Sequence, residues 1–357
     1  MGRGGDVDGA AGALRRFVRE AGGCAVVDGG LATELEAHGA DLHDELWSAS
    51  CLVSAPHLIR KVHLDYLDAG ANIITSASYQ VFDKLLIYIW RLTSAIISVS
   101  YIRSHFRMQA TIQGFQARGL SRERSEALLR RSVHIAQEAR AIFAEGWSKG
   151  PYANHRSSPR RPVLVAASIG SYGAYLADGS EYTGDYGISV TKETLKSFHR
   201  RRLQVLADAG PDLIAFETIP NKLEAQASGD PITECAAVAD ACARVGAVGV
   251  NCTAPRLVHG LILSIRKVTS KPVVVYPNSG ETYVAETKEW VESEGGASET
   301  DFVSCVGKWR QAGAALVGGC CRTSPATVRA ISWALRESDD AVGGDGDRDD
   351  FPAVAVL

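Results

Sequence analysis

Three cysteines are the residues of this 357-residue chain whose type and position best suit chemistry. Cys252 ends the apolar run AVGVNC, and Cys320 and Cys321 end the run ALVGGCC. Three thiolates leave one position of a tetrahedral zinc ion open, as in catalytic sites, whereas four protein ligands close a structural site. The sequence has no C-x2-C pair, which argues against a zinc ribbon or a thioredoxin-like centre. The pattern predicts a catalytic zinc site. The alternative is that all three are small buried hydrophobic residues, as is expected for the other five cysteines.

Two acids end further apolar runs, Asp28 in VVDGG and Glu217 in AFETIP. A carboxylate in such a place is costly to bury unless it is hydrogen-bonded or binds a ligand. Together these acids could hold the ammonium group of a substrate, and Asn251 adds a neutral hydrogen-bonding side chain nearby. The alternative for each acid is a carboxylate that caps a helix or braces a loop.

The elements that position these residues are short apolar runs, each followed by a helical stretch. Alternating strands and helices indicate an α/β fold with a parallel sheet. A (β/α)8 TIM-type barrel fits better than a doubly wound sheet, because no G-x-G-x-x-G follows any strand. In a barrel the carboxyl ends of all strands lie on one face, so the cysteines and acids converge there. Seven runs are present where a closed barrel needs eight: 24–28, 72–76, 162–168, 212–217, 247–252, 272–277 and 314–320.

Composition sets the remaining expectations. The 38 Lys and Arg residues against 41 Asp and Glu residues give no basic surface for nucleic acid. No signal-peptide core precedes residue 24, so we expect a cytoplasmic protein with reduced thiols. Residues 1–14 and the acidic tail 338–357 are expected to be disordered, around a single domain at 15–337. No long apolar helical face requires a dimer, so we expect a monomer.

Five longer motifs contain the candidate site residues and a further strand end: VVDGGLATELEAHGADLHDELWSA, FETIPNKLEAQA, VGVNCTAPRLVHGLI, VVYPNSGETY and ALVGGCCRTSP. Together they resemble one family, the homocysteine S-methyltransferases, and the plant enzymes in particular. The resemblance implies a zinc-dependent barrel that transfers a methyl group from S-methylmethionine, or S-adenosylmethionine, to L-homocysteine and forms methionine. It also implies that Cys252, Cys320 and Cys321 bind the zinc, and that Asp28 and Glu217 hold the amino acid end of homocysteine.

The chain departs from the family pattern in two places. Residues 81–109 form an insertion between SASYQ and ATIQGFQARGLS, and a segment is missing between residues 227 and 228, where the absent eighth strand would lie. Both changes fit an aberrantly spliced isoform. The alternative function is therefore a non-catalytic or poorly folded splice product that retains zinc or partner binding. Residues 85–102 are apolar enough for a weaker membrane-span alternative, which the barrel on both sides disfavours.

Overall fold

The computed structural model describes residues 9–42, 47–79, 110–149, 161–176, 180–219, 224, 232–284, 289–291 and 299–340. The predicted insertion, the membrane-span candidate within it, and the junction at residues 227 and 228 all lie outside these residues. Among the described helices, none is long and apolar enough to cross a membrane.

Strands and helices alternate along the described chain, as the sequence predicts. The strands are β1 (Ala25–Val26), β2 (Ile73–Thr75), β3 (Leu164–Gly170), β4 (Leu213–Glu217), β5 (Val248–Asn251), β6 (Val273–Tyr276), β7 (Thr282–Val284), β8 (Glu289–Val291) and β9 (Ala314–Val317). The helices are α1 (Ala10–Glu20), α2 (Leu31–Ala37), α3 (Cys51–Ser54), α4 (Pro56–Ala69), α5 (Ile112–Ala117), α6 (Arg122–Lys149), α7 (Tyr172–Leu176), α8 (Ser180–Thr183), α9 (Lys192–Asp208), α10 (Ile232–Asp240), α11 (Pro255–Arg266), α12 (Glu299–Gln311) and α13 (Pro325–Asp340).

The seven predicted strands are present and all of their pairings are parallel, which confirms the α/β fold with parallel sheets. One sheet has the order β1-β9-β6-β5 and the other β2-β3-β4. A parallel bridge between Val27 and Ile73 joins β1 to β2. The strands therefore follow one barrel-like order, β4-β3-β2-β1-β9-β6-β5. Within the described residues no ladder joins β4 to β5, so the barrel is not closed there. The antiparallel hairpin β7-β8 was not predicted.

Successive strand residues point alternately into two hydrophobic cores, as the two-residue side-chain period of a strand requires. In β6, Val274 belongs to an inner core, while Val273 and Val275 belong to the core between strands and helices. The inner core also contains Leu14 and Phe17 of α1. This arrangement, with strands buried on both faces, places the strand ends and their loops in a ring.

The domain boundaries differ slightly from those that the sequence suggests. Helix α1 begins at Ala10, inside the segment 1–14 that we expected to be disordered. Leu14 in this segment is buried in the inner core, and this burial stabilises the first turns of the helix. Helix α13 continues to Asp340, past the expected start of the acidic tail at residue 338.

Helix α4 shows how the sequence sets an element boundary. Pro56 occupies the first turn, where its missing N–H costs nothing. Gly70 ends the helix at φ +119°, a left-handed conformation that favours glycine, and its N–H donates to the carbonyl of Leu67 at 3.1 Å. A side chain at this position would also collide with Ser332, 2.4 Å from where its Cβ would lie. A glycine is therefore needed both to end the helix and to allow α13 to approach.

His63 is an exception to the apolar core face of α4. Its side chain is fully buried, and neither ring nitrogen has a hydrogen-bond partner among the described residues. Burial lowers the pKa of His63 from 6.5 to about 4. The folded protein therefore holds a neutral imidazole at neutral pH.

His63→Leu is expected to make the protein more resistant to acid. Between pH 6.5 and pH 4 the unfolded chain binds a proton at His63 and the folded chain does not, so the free energy of unfolding falls as the pH falls through this range. From pH 7 to pH 5 this loss is about 2 kcal/mol, which the leucine variant should not show. Urea unfolding at both pH values measures it. His57→Leu, at an exposed position on the same helix, should keep the wild-type pH dependence; if both variants do, His63 is not the group responsible.

Candidate active site

The structure brings the three predicted cysteines together at the carboxyl ends of β5 and β9. Their Sγ atoms all lie within 4.8 Å of one another. The Sγ atom of Cys321 lies 3.5 Å from that of Cys252 and 3.9 Å from that of Cys320. Thiol hydrogen bonds from Cys252 and Cys320 hold the pKa of Cys321 well below its usual value.

The donor set and its spacing fit a zinc ion. A tetrahedral ion with Zn–S bonds of about 2.3 Å places its sulfur ligands about 3.8 Å apart, and the two distances to Cys321 lie on either side of that value. All three residues are partly exposed. Soft thiolate ligands select zinc among the common divalent ions of the cell.

Backbone hydrogen bonds between neighbouring loops hold the cysteines in place. The N–H of Cys252 donates to the carbonyl of Tyr276 at 3.2 Å, and the N–H of Cys320 donates to the carbonyl of Pro277 at 2.8 Å. The loop after β9 also needs glycine at residue 318, because a Cβ there would lie 2.6 Å from the carbonyl oxygen of Val27. The GG of the GGCC motif thus lets the cysteine loop pack directly against β1.

The two predicted acids are buried near this cluster. Asp28 is 4% exposed and its carboxylate accepts a hydrogen bond from the N–H of Thr75 at 2.7 Å. Burial raises the pKa of Asp28 to about 8, and the charge of Glu217 adds to the effect. Burial also raises the pKa of Glu217, whose carboxylate accepts hydrogen bonds from the hydroxyls of Ser168 and Tyr276. Two buried carboxyls with raised pKa values provide a site that favours a cationic ligand.

The third predicted substrate-binding residue, Asn251, has a different contact. Its amide oxygen accepts from the N–H of Thr218 at 3.1 Å, and its amide nitrogen donates to the Thr218 hydroxyl at 2.8 Å. No sequence pattern predicts a site role for Thr218, Thr75, Ser168 or Tyr276. Small polar residues at the ends of apolar runs were the available signal, but such residues are common in loops.

A second group of possible metal ligands lies on α2 and α4, and the sequence analysis did not find it. Glu34, His38 and Asp65 meet there, with His38 Nε2 2.7 Å from Asp65 and 3.3 Å from Glu34. Lys61 donates to both carboxylate oxygens of Asp65 at 3.1 Å. These contacts make the group an ion-pair network that joins two helices.

Fold and site together define an α/β enzyme of the barrel type with a thiol metal centre at the strand ends. The homocysteine S-methyltransferase family matches residues 25–228 and 226–335, and the chain belongs to this family. It is 65% identical to homocysteine S-methyltransferase 4 of Zea mays, over 99% of each chain, and 57% identical to homocysteine S-methyltransferase 3 of Zea mays, over 92% of this chain and 95% of the relative. The metallated homocysteine methyltransferase MmuM of Escherichia coli has the same fold, with a TM-score of 0.68 and 35% identity over 89% of this chain and 99% of the other.

These similarities confirm the predicted class of enzyme, a homocysteine S-methyltransferase. They also agree with a metal-binding enzyme that acts on small molecules, homocysteine and a methyl donor.

Proposed function

We propose that this chain transfers a methyl group from S-methylmethionine, or from S-adenosylmethionine, to L-homocysteine at a zinc ion held by Cys252, Cys320 and Cys321, and so forms methionine. The observation that carries the proposal is the convergence of three thiols from two distant stretches of sequence within 4.8 Å. A bound zinc ion would keep the homocysteine sulfur deprotonated near neutral pH.

The residues of the chain bind and orient homocysteine. We assign Asp28 and Glu217 to the substrate ammonium, whose charge compensates the two buried carboxylates and favours their ionised forms. Held at this end, the homocysteine sulfur can reach the cysteine cluster. The sulfur lone pair attacks the methyl carbon in line, the bond from that carbon to the sulfonium sulfur breaks, and the donor leaves as a neutral thioether. The reaction needs no general base or redox cofactor.

The free cysteines support a reducing compartment for the enzyme. All eight cysteines are free in the structure, and thiols stay reduced in the cytosol. We therefore propose that the enzyme acts in the cytoplasm. The monomeric state expected from the sequence is a separate proposal, which the thiols do not address.

We also propose that the β4-β5 junction is where the chain lacks one βα unit of its family. The family match breaks into two parts at residues 226–228, and the alignment to homocysteine S-methyltransferase 4 of Zea mays spans 381 positions against the 357 residues of this chain. The strands at the junction are also incompletely buried, at Ile214 and Phe216 in β4 and at Val250 in β5, whereas β6 is fully buried.

One preparation tests the function and its alternative. The full-length chain is purified, its zinc content is measured, and methionine formation from homocysteine is followed with each sulfonium donor in turn. About one zinc ion per chain with turnover supports the proposal, and the ratio of kcat/KM values identifies the donor. Metal without turnover, or aggregated metal-free protein, contradicts it and supports the non-catalytic splice product.

A further inference from the structure

The end of β4 and the end of β5 carry two residues of the proposed site, Glu217 and Cys252, which follow different strands. Parallel strands are normally held in register by a backbone ladder, but in the described residues no ladder joins these two strands. Some other contact has to fix the distance between the carboxylate and the thiol. The structure supplies one, between the last residue of β5 and the first residue after β4.

That contact is formed by Asn251 and Thr218. The side-chain oxygen of Asn251 accepts a hydrogen bond from the Thr218 N–H at 3.1 Å, and the side-chain nitrogen of Asn251 donates one to the Thr218 hydroxyl at 2.8 Å. Asn251 directly precedes Cys252, and Thr218 directly follows Glu217. We call this pair of hydrogen bonds the Asn251–Thr218 clasp. It connects the backbone beside the proposed ammonium-binding carboxylate to the backbone beside the proposed metal ligand.

The backbone is strained at Thr218, which is one end of the clasp, and at Cys252, which directly follows the other end. Thr218 has φ +53° and Cys252 has φ +51°, in the left-handed region that residues with a Cβ rarely adopt. For a β-branched residue such as Thr218 this conformation is strained and persists only where surrounding contacts enforce it. The two hydrogen bonds of the clasp provide that enforcement on the Thr218 side. On the other side, the N–H of Cys252 is held by the carbonyl of Tyr276.

We propose that Asn251 is a positioning residue, which sets the spacing of Glu217 and Cys252 across the β4-β5 junction rather than contacting homocysteine. The inference rests on the proposed function, because homocysteine has to reach the carboxylate with its ammonium group and the cysteine cluster with its sulfur. It replaces the substrate-binding role that the sequence suggests for Asn251, since both polar groups of its amide are engaged by Thr218. A displacement of about 1 Å between the two ends costs on the order of 100-fold in rate.

A double-mutant cycle separates the two roles of Asn251. Thr218→Val keeps the size and β-branching of threonine and removes only the hydroxyl, and it should lower kcat/KM for homocysteine about 10-fold. Asn251→Ala removes both hydrogen bonds and should lower kcat/KM about 100-fold. If the loss of the clasp causes both decreases, kcat/KM for homocysteine in the double variant is no lower than in Asn251→Ala. If Asn251 binds the substrate directly, the two effects multiply to about 1000-fold, which would overturn the inference.

Two further measurements distinguish positioning from a general loss of stability. The KM for homocysteine should rise in both single variants, while the KM for the methyl donor stays unchanged, because only homocysteine spans the two ends of the clasp. Thr218→Ser restores the hydroxyl and should return the KM for homocysteine to within about 3-fold of the wild-type value. Equal increases in both KM values, or a serine variant as impaired as the valine variant, would contradict a positioning role.

The cycle also has a readout that does not depend on turnover. Zinc affinity, measured by competition with a chromophoric chelator, should fall in Thr218→Val and Asn251→Ala and fall no further in the double variant. If the wild-type chain binds zinc but forms no methionine, the proposed function fails while this cycle still tests the clasp. If zinc affinity is unchanged in both single variants and wild-type turnover is normal, the clasp fails and the proposed function stands.

Discussion

Replacing Cys252 with serine is expected to abolish zinc binding and to reduce methionine formation at least about 100-fold. A serine hydroxyl is not ionised near neutral pH, so the three-thiolate site becomes a two-thiolate site with a weak third ligand. Even the loss of a residue that only supports a metal ligand costs about 10–100-fold in affinity or activity, so the loss of a ligand itself should cost more. Zinc content by mass spectrometry and initial rates at saturating donor measure both effects.

Cys305→Ser is the matched control for this experiment. Cys305 lies on α12, packs against the core between strands and helices, and is not part of the cysteine cluster. The variant should keep its zinc and its rate. A Cys252→Ser protein that retains one zinc ion and the wild-type rate would show that the ligand assignment is wrong.

The ion-pair network of Glu34, His38 and Asp65 provides a second control for the origin of any bound metal. His38→Ala removes the residue that contacts both acids. Because Lys61 already compensates the charge of Asp65, we expect this variant to keep the zinc content of the wild type. Loss of zinc in His38→Ala, with retention in Cys252→Ser, would assign the metal to Glu34, His38 and Asp65 and not to the cysteine cluster that the proposed reaction requires.

The sequence predicts the strands and the cysteine cluster well because both depend on simple rules. Runs such as the one that becomes β6 are apolar throughout, as strands covered on both faces must be. The topology of a parallel barrel then brings the strand ends together whatever their separation in sequence, which is why Cys252 could be placed beside Cys320 from the sequence. Asp28 and Glu217 follow from the same rule.

The parts that the sequence does not predict depend on pairwise geometry. Asn251 is predicted as a site residue because it ends a strand, but which group its amide contacts depends on the relative position of β4 and β5. Thr218 gives no signal of its own, because a threonine with φ +53° looks in sequence like any loop threonine. His63, which is buried without a hydrogen-bond partner among the described residues, is likewise not predictable, since the sequence shows only its position on the apolar stripe of α4.

The junction between β4 and β5, which no ladder closes within the described residues, bears on how active the chain can be. A strand missing from a closed barrel leaves two edges, and the ring of strand ends then has one position where no ladder sets the spacing. Yet the cysteine cluster depends on β5, β6 and β9, which are joined directly by parallel ladders. Metal binding depends on the junction through the Asn251–Thr218 clasp beside Cys252, whereas homocysteine binding also requires the correct spacing between Glu217 and the cysteine cluster.

Glu217→Gln is expected to impair homocysteine binding strongly without affecting the metal. Glutamine keeps the size of the side chain and accepts the hydrogen bonds from Ser168 and Tyr276, but it removes the charge that we assign to the substrate ammonium. We expect the KM for homocysteine to rise about 100-fold, in line with about 3 kcal/mol for a charge-assisted hydrogen bond in a buried site. Zinc content and the KM for the methyl donor should not change. Steady-state kinetics with each substrate varied in turn measure the difference.

Asp28→Asn shows whether the two acids act together on one ammonium group. Its amide oxygen can still accept from the N–H of Thr75, so the loop after β1 should keep its conformation. If both carboxylates contact the same ammonium, each single variant raises the KM for homocysteine and the double variant raises it by less than the product of the two effects. Multiplicative effects would show that the two acids do not share one ammonium group. A Glu217→Gln protein that loses zinc would place Glu217 outside the homocysteine site, and the buried carboxyl would then serve the cysteine cluster, since it interacts electrostatically with Cys321.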